Sequence, residues 1–169
     1  MVRKPGKEVL SGYLTNLANE MQRPHREDFL ALLYTVADAL LDEVTSRMLE
    51  AGFSDVRGAH GCVFGNIDPD GSRLTDLAER AHMTKQSVGE VATELERRGY
   101  LERVPDPEDG RAKIIRLTGR GREARALGFQ IMDEMERDWG ERFGVERVAA
   151  LRDALEVITA ERLGALPVI

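Results

Sequence analysis

Apolar residues recur at helical spacing along most of this chain. From about Arg26 to Ala51, the row Phe29, Leu32, Leu33, Val36, Ala37, Leu40, Leu41, Val44 and Met48 follows i, i+3, i+4, i+7 and predicts one long amphipathic helix that stops at Gly52. So wide an apolar stripe has to be covered by something large. Upstream, Val9, Leu10, Tyr13, Leu14 and Leu17 make a shorter row before Pro24, and residues 1–25 are read as an N-terminal extension. Downstream, Gly58 to Ile67 predicts a short helix, and Asp68-Pro69-Asp70-Gly71 a turn.

Two helices close together come next. The first buries Leu74, Leu77, Ala78 and Ala81, with Thr75 as its expected cap and Asp76 and Glu79 in its first turn. His82-Met83 breaks the pattern. The second runs from Lys85 to Arg98, capped by Thr84, burying Val88, Val91, Ala92 and Leu95 and ending at Gly99. Two extended runs follow, Leu101 to Val104 and Ala112 to Leu117, with Asp109-Gly110 as the hairpin tip between them. Thr118 then caps a long helix carrying Leu127, Ile131, Met132, Met135, Trp139 and Phe143. After Gly144 a last helix, about Val145 to Leu163, carries Val148, Leu151, Leu155, Ile158 and Leu163.

Composition narrows the class without deciding it. With 42% hydrophobic and 32% charged residues the 169-residue chain is ordinary globular material. No run approaches the ~20 apolar residues that span a bilayer, and the first twenty residues lack the apolar core of a secretory signal. A lone cysteine, Cys62, makes no internal disulfide. Together these features lead us to expect a soluble, cytoplasmic protein, and 20 Arg against 4 Lys fits a GC-rich bacterial genome. The net charge of -6 argues against a nucleic-acid partner until its distribution is seen. Between Ser72 and Arg122 there are 11 basic against 9 acidic residues, whereas the remainder has 13 against 21. A mildly basic segment sits in an acidic scaffold.

Two helices joined by a short turn, then a hairpin with a charged tip, form the layout of a winged helix-turn-helix. The second helix has to bury its back and leave its front free for a major groove. Thr84, Lys85, Gln86, Ser87, Gly89, Glu90 and Thr93 supply that front and its N-terminus. Gln86 suits adenine, Lys85 guanine or a phosphate, Ser87 a phosphate or base edge, and the free N–H groups near Thr84 suit a phosphate oxygen. Small Gly89 allows close approach. On the hairpin, Arg111 suits a minor groove and Lys113 the flanking backbone.

The stretch LTDLAERAHMTKQSVGEVATELERRGYLERVPDPEDGRAKIIRLTGRGREA, Leu74 to Ala124, resembles the multiple antibiotic resistance repressor (MarR) family. The carriers are LERRGYLER (Leu95 to Arg103), DGRAK (Asp109 to Lys113) and LTGRG (Leu117 to Gly121), with long helices on both sides. With those helices, the likeness covers roughly Asp28 to Leu163. It implies a mainly α-helical homodimer in one unit, 26–163: dimerisation helices 26–51 and 119–163, helix-turn-helix 75–98 and wing 101–117. It also implies a repressor on a palindromic operator of double-stranded DNA, released by a small aromatic or phenolic ligand. Asp109 would brace the wing and Arg111 would probe the minor groove. Glu90 departs from the family pattern, since many relatives carry arginine or another DNA-compatible residue there.

Other readings stay open. A winged helix can serve protein contact alone, and Arg103, Arg116, Arg120 and Arg122 fit either local ion pairs or phosphates. Cys62 could sense oxidants, although a lone cysteine beside Val63 and Phe64 reads more simply as a small buried apolar residue. His25, His60 and His82 show no metal-ligand spacing. With no Gly-rich phosphate loop, GxSxG elbow or HExxH, no enzyme or cofactor is expected.

Overall fold

The computed structural model describes residues 29–163, so the expected N-terminal extension lies outside them. Helix α1 is Phe29–Glu50. It ends where Gly52, at φ +92°, lets its N–H and those of Ala51 and Phe53 return to the carbonyls of the last turn. The chain divides into two compact units within this helix, after Leu40.

The first unit contributes Phe29 to Leu40 to the described residues. Its apolar positions stay wet: Phe29 is 67% and Tyr34 69% exposed, and Leu32, Leu33 and Val36 are exposed as well.

The second unit is built as a winged helix. After a 3-10 turn (Gly58–His60) come α2 (Gly61–Phe64), β1 (Ser72–Arg73), α3 (Leu74–Arg80), α4 (Lys85–Arg97), β2 (Leu101–Pro105), β3 (Lys113–Leu117), α5 (Gly119–Phe143) and α6 (Val145–Leu163). The strands form an antiparallel sheet in the order β1-β3-β2, with Leu101 opposite Leu117 and Ser72 opposite Ile115. Val63, Ile67, Leu77, Val88, Leu95, Tyr100, Ile115 and Leu117 are buried in the core. Tyr100 lies edge-on to Phe64 at 6.0 Å between centroids, and its hydroxyl donates to Asp55.

Three local expectations need correcting. Thr75 does not cap α3: the helix starts at Leu74 with Arg73 as N-cap, because β1 runs straight into it, and the Thr75 hydroxyl donates to Asp76 instead. Strand β1 itself was not expected, since two residues carry no alternation to read. At the hairpin tip, Gly110 does not take the positive φ of a two-residue turn. The loop between the strands has the expected length, and within it Ala112 N–H closes the final turn onto Asp109 O at 2.8 Å.

The last two helices form a hairpin. Thr118 caps α5 by accepting from Gly121 N, Gly144 turns the chain at φ +99°, and Arg152 of α6 pairs with Glu136 of α5. Ile131 and Met135 are buried, Trp139 is half-buried, and Leu151, Leu155, Val157 and Ile158 remain exposed. No helix among the described residues is long and apolar enough to cross a membrane.

Candidate nucleic-acid interface

Helix α4 separates its two faces cleanly. Val88, Ala92 and Leu95 are buried at i, i+4, i+7, so the opposite side is pushed into solvent. Lys85, Gln86, Glu90 and Thr93 are exposed there, with Ser87 and Gly89 half-buried. The turn before it is held by the end of α3. Met83 N–H bonds back to Ala78 O at 3.0 Å, with His82 in the left-handed region at φ +50°. Thr84 Oγ1 accepts from Ser87 N at 3.1 Å and lies 2.8 Å from the Ser87 hydroxyl. Ser87 is therefore tied into the cap, Lys85 and Gln86 are the first fully exposed side chains of the helix, and the Gln86 amide reaches Glu90 at 3.2 Å.

Further along the same face, Thr93 donates to Gly89 O at 2.7 Å and accepts from Arg103 of β2 at 3.0 Å. Arg103 also pairs with Glu96 at 3.0 Å. A shallow groove lies here, lined by Leu74, Lys85, Gly89, Glu90, Arg97 and Arg103.

The wing has its own scaffold. Asp109 Oδ1 accepts the Arg111 N–H at 3.0 Å, an Asx-type bond that fixes the tip and leaves the Arg111 side chain in solvent. Lys113, exposed, opens β3 opposite Pro105. Asp106, at 6% exposure, accepts from Glu108 N at 2.8 Å and from Arg73 Nε at 2.6 Å. The Glu108 N–H and then the Arg73 guanidinium hold its carboxyl below the usual carboxylate range. This pair ties the wing to the start of α3. Sequence reasoning missed it because the partners are 33 residues apart and share no periodicity.

Other arginines are committed locally. Arg116 pairs with the directly opposite Glu102, Arg120 bonds Asp55 and the Tyr100 hydroxyl, and Arg122 donates to Leu117 O. Cys62 is half-buried and donates to Ala59 O at 3.1 Å, and burial pushes its thiol up, away from the reactive thiolate. Among the described residues, no group of three or more His, Cys, Asp or Glu is placed to hold a metal ion.

Helix-turn-helix, three-stranded sheet and charged wing define a winged helix-turn-helix protein. Residues 54–112 match the model of the MarR family. The transcriptional regulator HosA of Escherichia coli O111:H- is 31% identical over 72 residues, 43% of this chain. That match spans about half the length of the curated relative, 53%. CouR from Rhodococcus jostii RHA1, solved with p-coumaroyl-CoA, is similar in fold at TM-score 0.65 and 24% identity, covering 81% of this chain and 95% of that one. FabT of Streptococcus pneumoniae, solved in complex with DNA, has TM-score 0.64 and 20% identity, covering 75% and 90%.

Proposed function

We propose that this protein is a sequence-specific DNA-binding transcriptional regulator, a repressor rather than an enzyme, acting as a homodimer on a palindromic operator. The observation that carries the reading is the free front of α4. Lys85, Gln86 and Glu90 are held outward by a buried back face and a closed N-cap, in a chain whose wing keeps Arg111 in solvent. Lys85 to Thr93 enter a major groove, Arg111 reaches the adjacent minor groove, and Lys113 meets the flanking phosphates. The DNA complex of FabT supports this use of the fold.

The exposed apolar residues of α1, and separately those of α6, support a second copy of the chain as their cover. An aromatic effector that releases the operator is supported by the CouR complex with p-coumaroyl-CoA.

The test is a mobility-shift titration of the protein on the intergenic DNA beside its own gene. Wild type should give a discrete complex that weakens steeply with salt as phosphates release their counterions. Arg111→Ala should weaken that complex with an unchanged circular-dichroism melt. Equal binding by the variant would remove the wing from the interface, and no complex with any duplex would leave a winged helix used for protein contact.

A further inference from the structure

Glu90 is the position at which this helix departs from an ordinary basic DNA-reading face, and its hydrogen bonding specifies what it does there. Gln86 and Glu90 stand four residues apart, neighbours on the exposed front of α4. Gln86 Nε2 lies 3.2 Å from Glu90 Oε1. An ionised carboxylate only accepts, so the contact assigns the amide: the nitrogen faces Glu90 and Oε1 is left as an acceptor. Among the described residues Glu90 enters no ion pair, so its charge is not spent within the chain. One turn on, Thr93 has already given its hydroxyl hydrogen to Gly89 O. The Thr93 oxygen is itself engaged by Arg103, so the acceptors in excess are those of Gln86 and Glu90, beside one remaining N–H on Gln86.

In a major groove, adenine N6 and cytosine N4 donate, whereas guanine N7 and O6 and thymine O4 accept. A carboxylate brought against a keto edge leaves acceptors facing each other and unsatisfied, which costs binding energy. We propose that Glu90 makes this helix select amino bases, adenine or cytosine, over keto bases on the strand it faces. It holds the Gln86 amide in one orientation and adds its own acceptor. The inference rests on the reading of α4 as the DNA-reading helix, and it turns the acid at position 90 from a liability near phosphates into a specificity device.

The test starts by selecting from a randomised duplex library with the full-length chain. Dissociation constants are then measured by fluorescence anisotropy on the selected duplex and on every single base-pair change, for wild type, Glu90→Ala and Glu90→Gln. Wild type should favour A or C over G or T on one strand at one or two positions per half-site, by about five- to 150-fold. Glu90→Ala should lose that ratio there, Glu90→Gln should narrow it because its amide can also donate to a keto base, and both should keep the preferences elsewhere and bind the selected duplex no more weakly than the ratio lost. A ratio that both variants leave intact would overturn the proposal, as would a uniform loss of affinity across all duplexes, while α4 stayed the reading helix. Wild type without any base preference would instead overturn the reading beneath it.

Discussion

At the scale of single residues, His60 and Gly121 show how local chemistry fixes this fold. His60 is 1% exposed; its Nδ1 accepts the Arg57 N–H at 3.0 Å, and its Nε2 faces Glu94 Oε2 at 3.7 Å. The neutral ring therefore carries its proton on Nε2, and a second proton would have to enter where the Arg57 N–H already points. Burial holds the imidazole pKa below its usual value, with Glu94 opposing. Above about pH 6.5 folded and unfolded chains both hold it neutral; below that the unfolded chain takes the proton first, so stability falls until the folded value is passed. His60→Gln should flatten the urea midpoint between about pH 7 and pH 5, and parallel profiles for the two proteins would contradict this. Gly121 meets the Tyr100 carbonyl so closely that an added Cβ would lie 2.0 Å from its oxygen. Gly121→Ala should cost about 1–3 kcal/mol or more, read as a lowered thermal midpoint.

At the scale of elements, what the sequence made legible was what neighbours in the chain decide. Thr84 and Thr118 are caps, and Gly52, Gly99 and Gly144 are stops at positive φ, because each needs only the residues beside it. Helix α6 runs from Val145 to Leu163, as its apolar spacing suggested. Thr75 misled because the preceding residues were already extended in β1, which moved the helix start forward. Nothing local announced the Arg73–Asp106 pair or the bonds of Asp55 to Tyr100 and Arg120, whose partners lie 33 to 65 residues apart. The candidate site divides the same way: the front of α4 and the tie of Ser87 to its cap are local, while the commitment of Thr93 to Arg103 depended on packing against β2. Asp106→Ala should speed amide hydrogen exchange across residues 106–112 and leave the protection of α4 in place. Unchanged exchange in the wing would show that the pair does not hold it.

At the scale of the whole molecule, a chain with a net charge of -6 reaches DNA only if its acidic scaffold is turned away from the phosphates. The proposed dimer rests on the scaffold helices covering one another's apolar faces. On α6, Leu151, Leu155 and Ile158 follow helical spacing and are all more than 40% exposed, a row that a second copy would bury. Leu155→Glu should shift the sedimenting species from dimer to monomer while the helical circular-dichroism signal persists. A wild-type chain that sediments as a monomer at micromolar concentration would remove the dimer.

Hydroxyl-radical footprinting of the bound operator examines helix, wing and pairing in one experiment. Two symmetry-related patches of protection centred about one helical turn, ~10 bp, apart are expected, each combining a major-groove contact with a flanking minor-groove contact. A single asymmetric patch, or protection without sequence preference, would contradict the account.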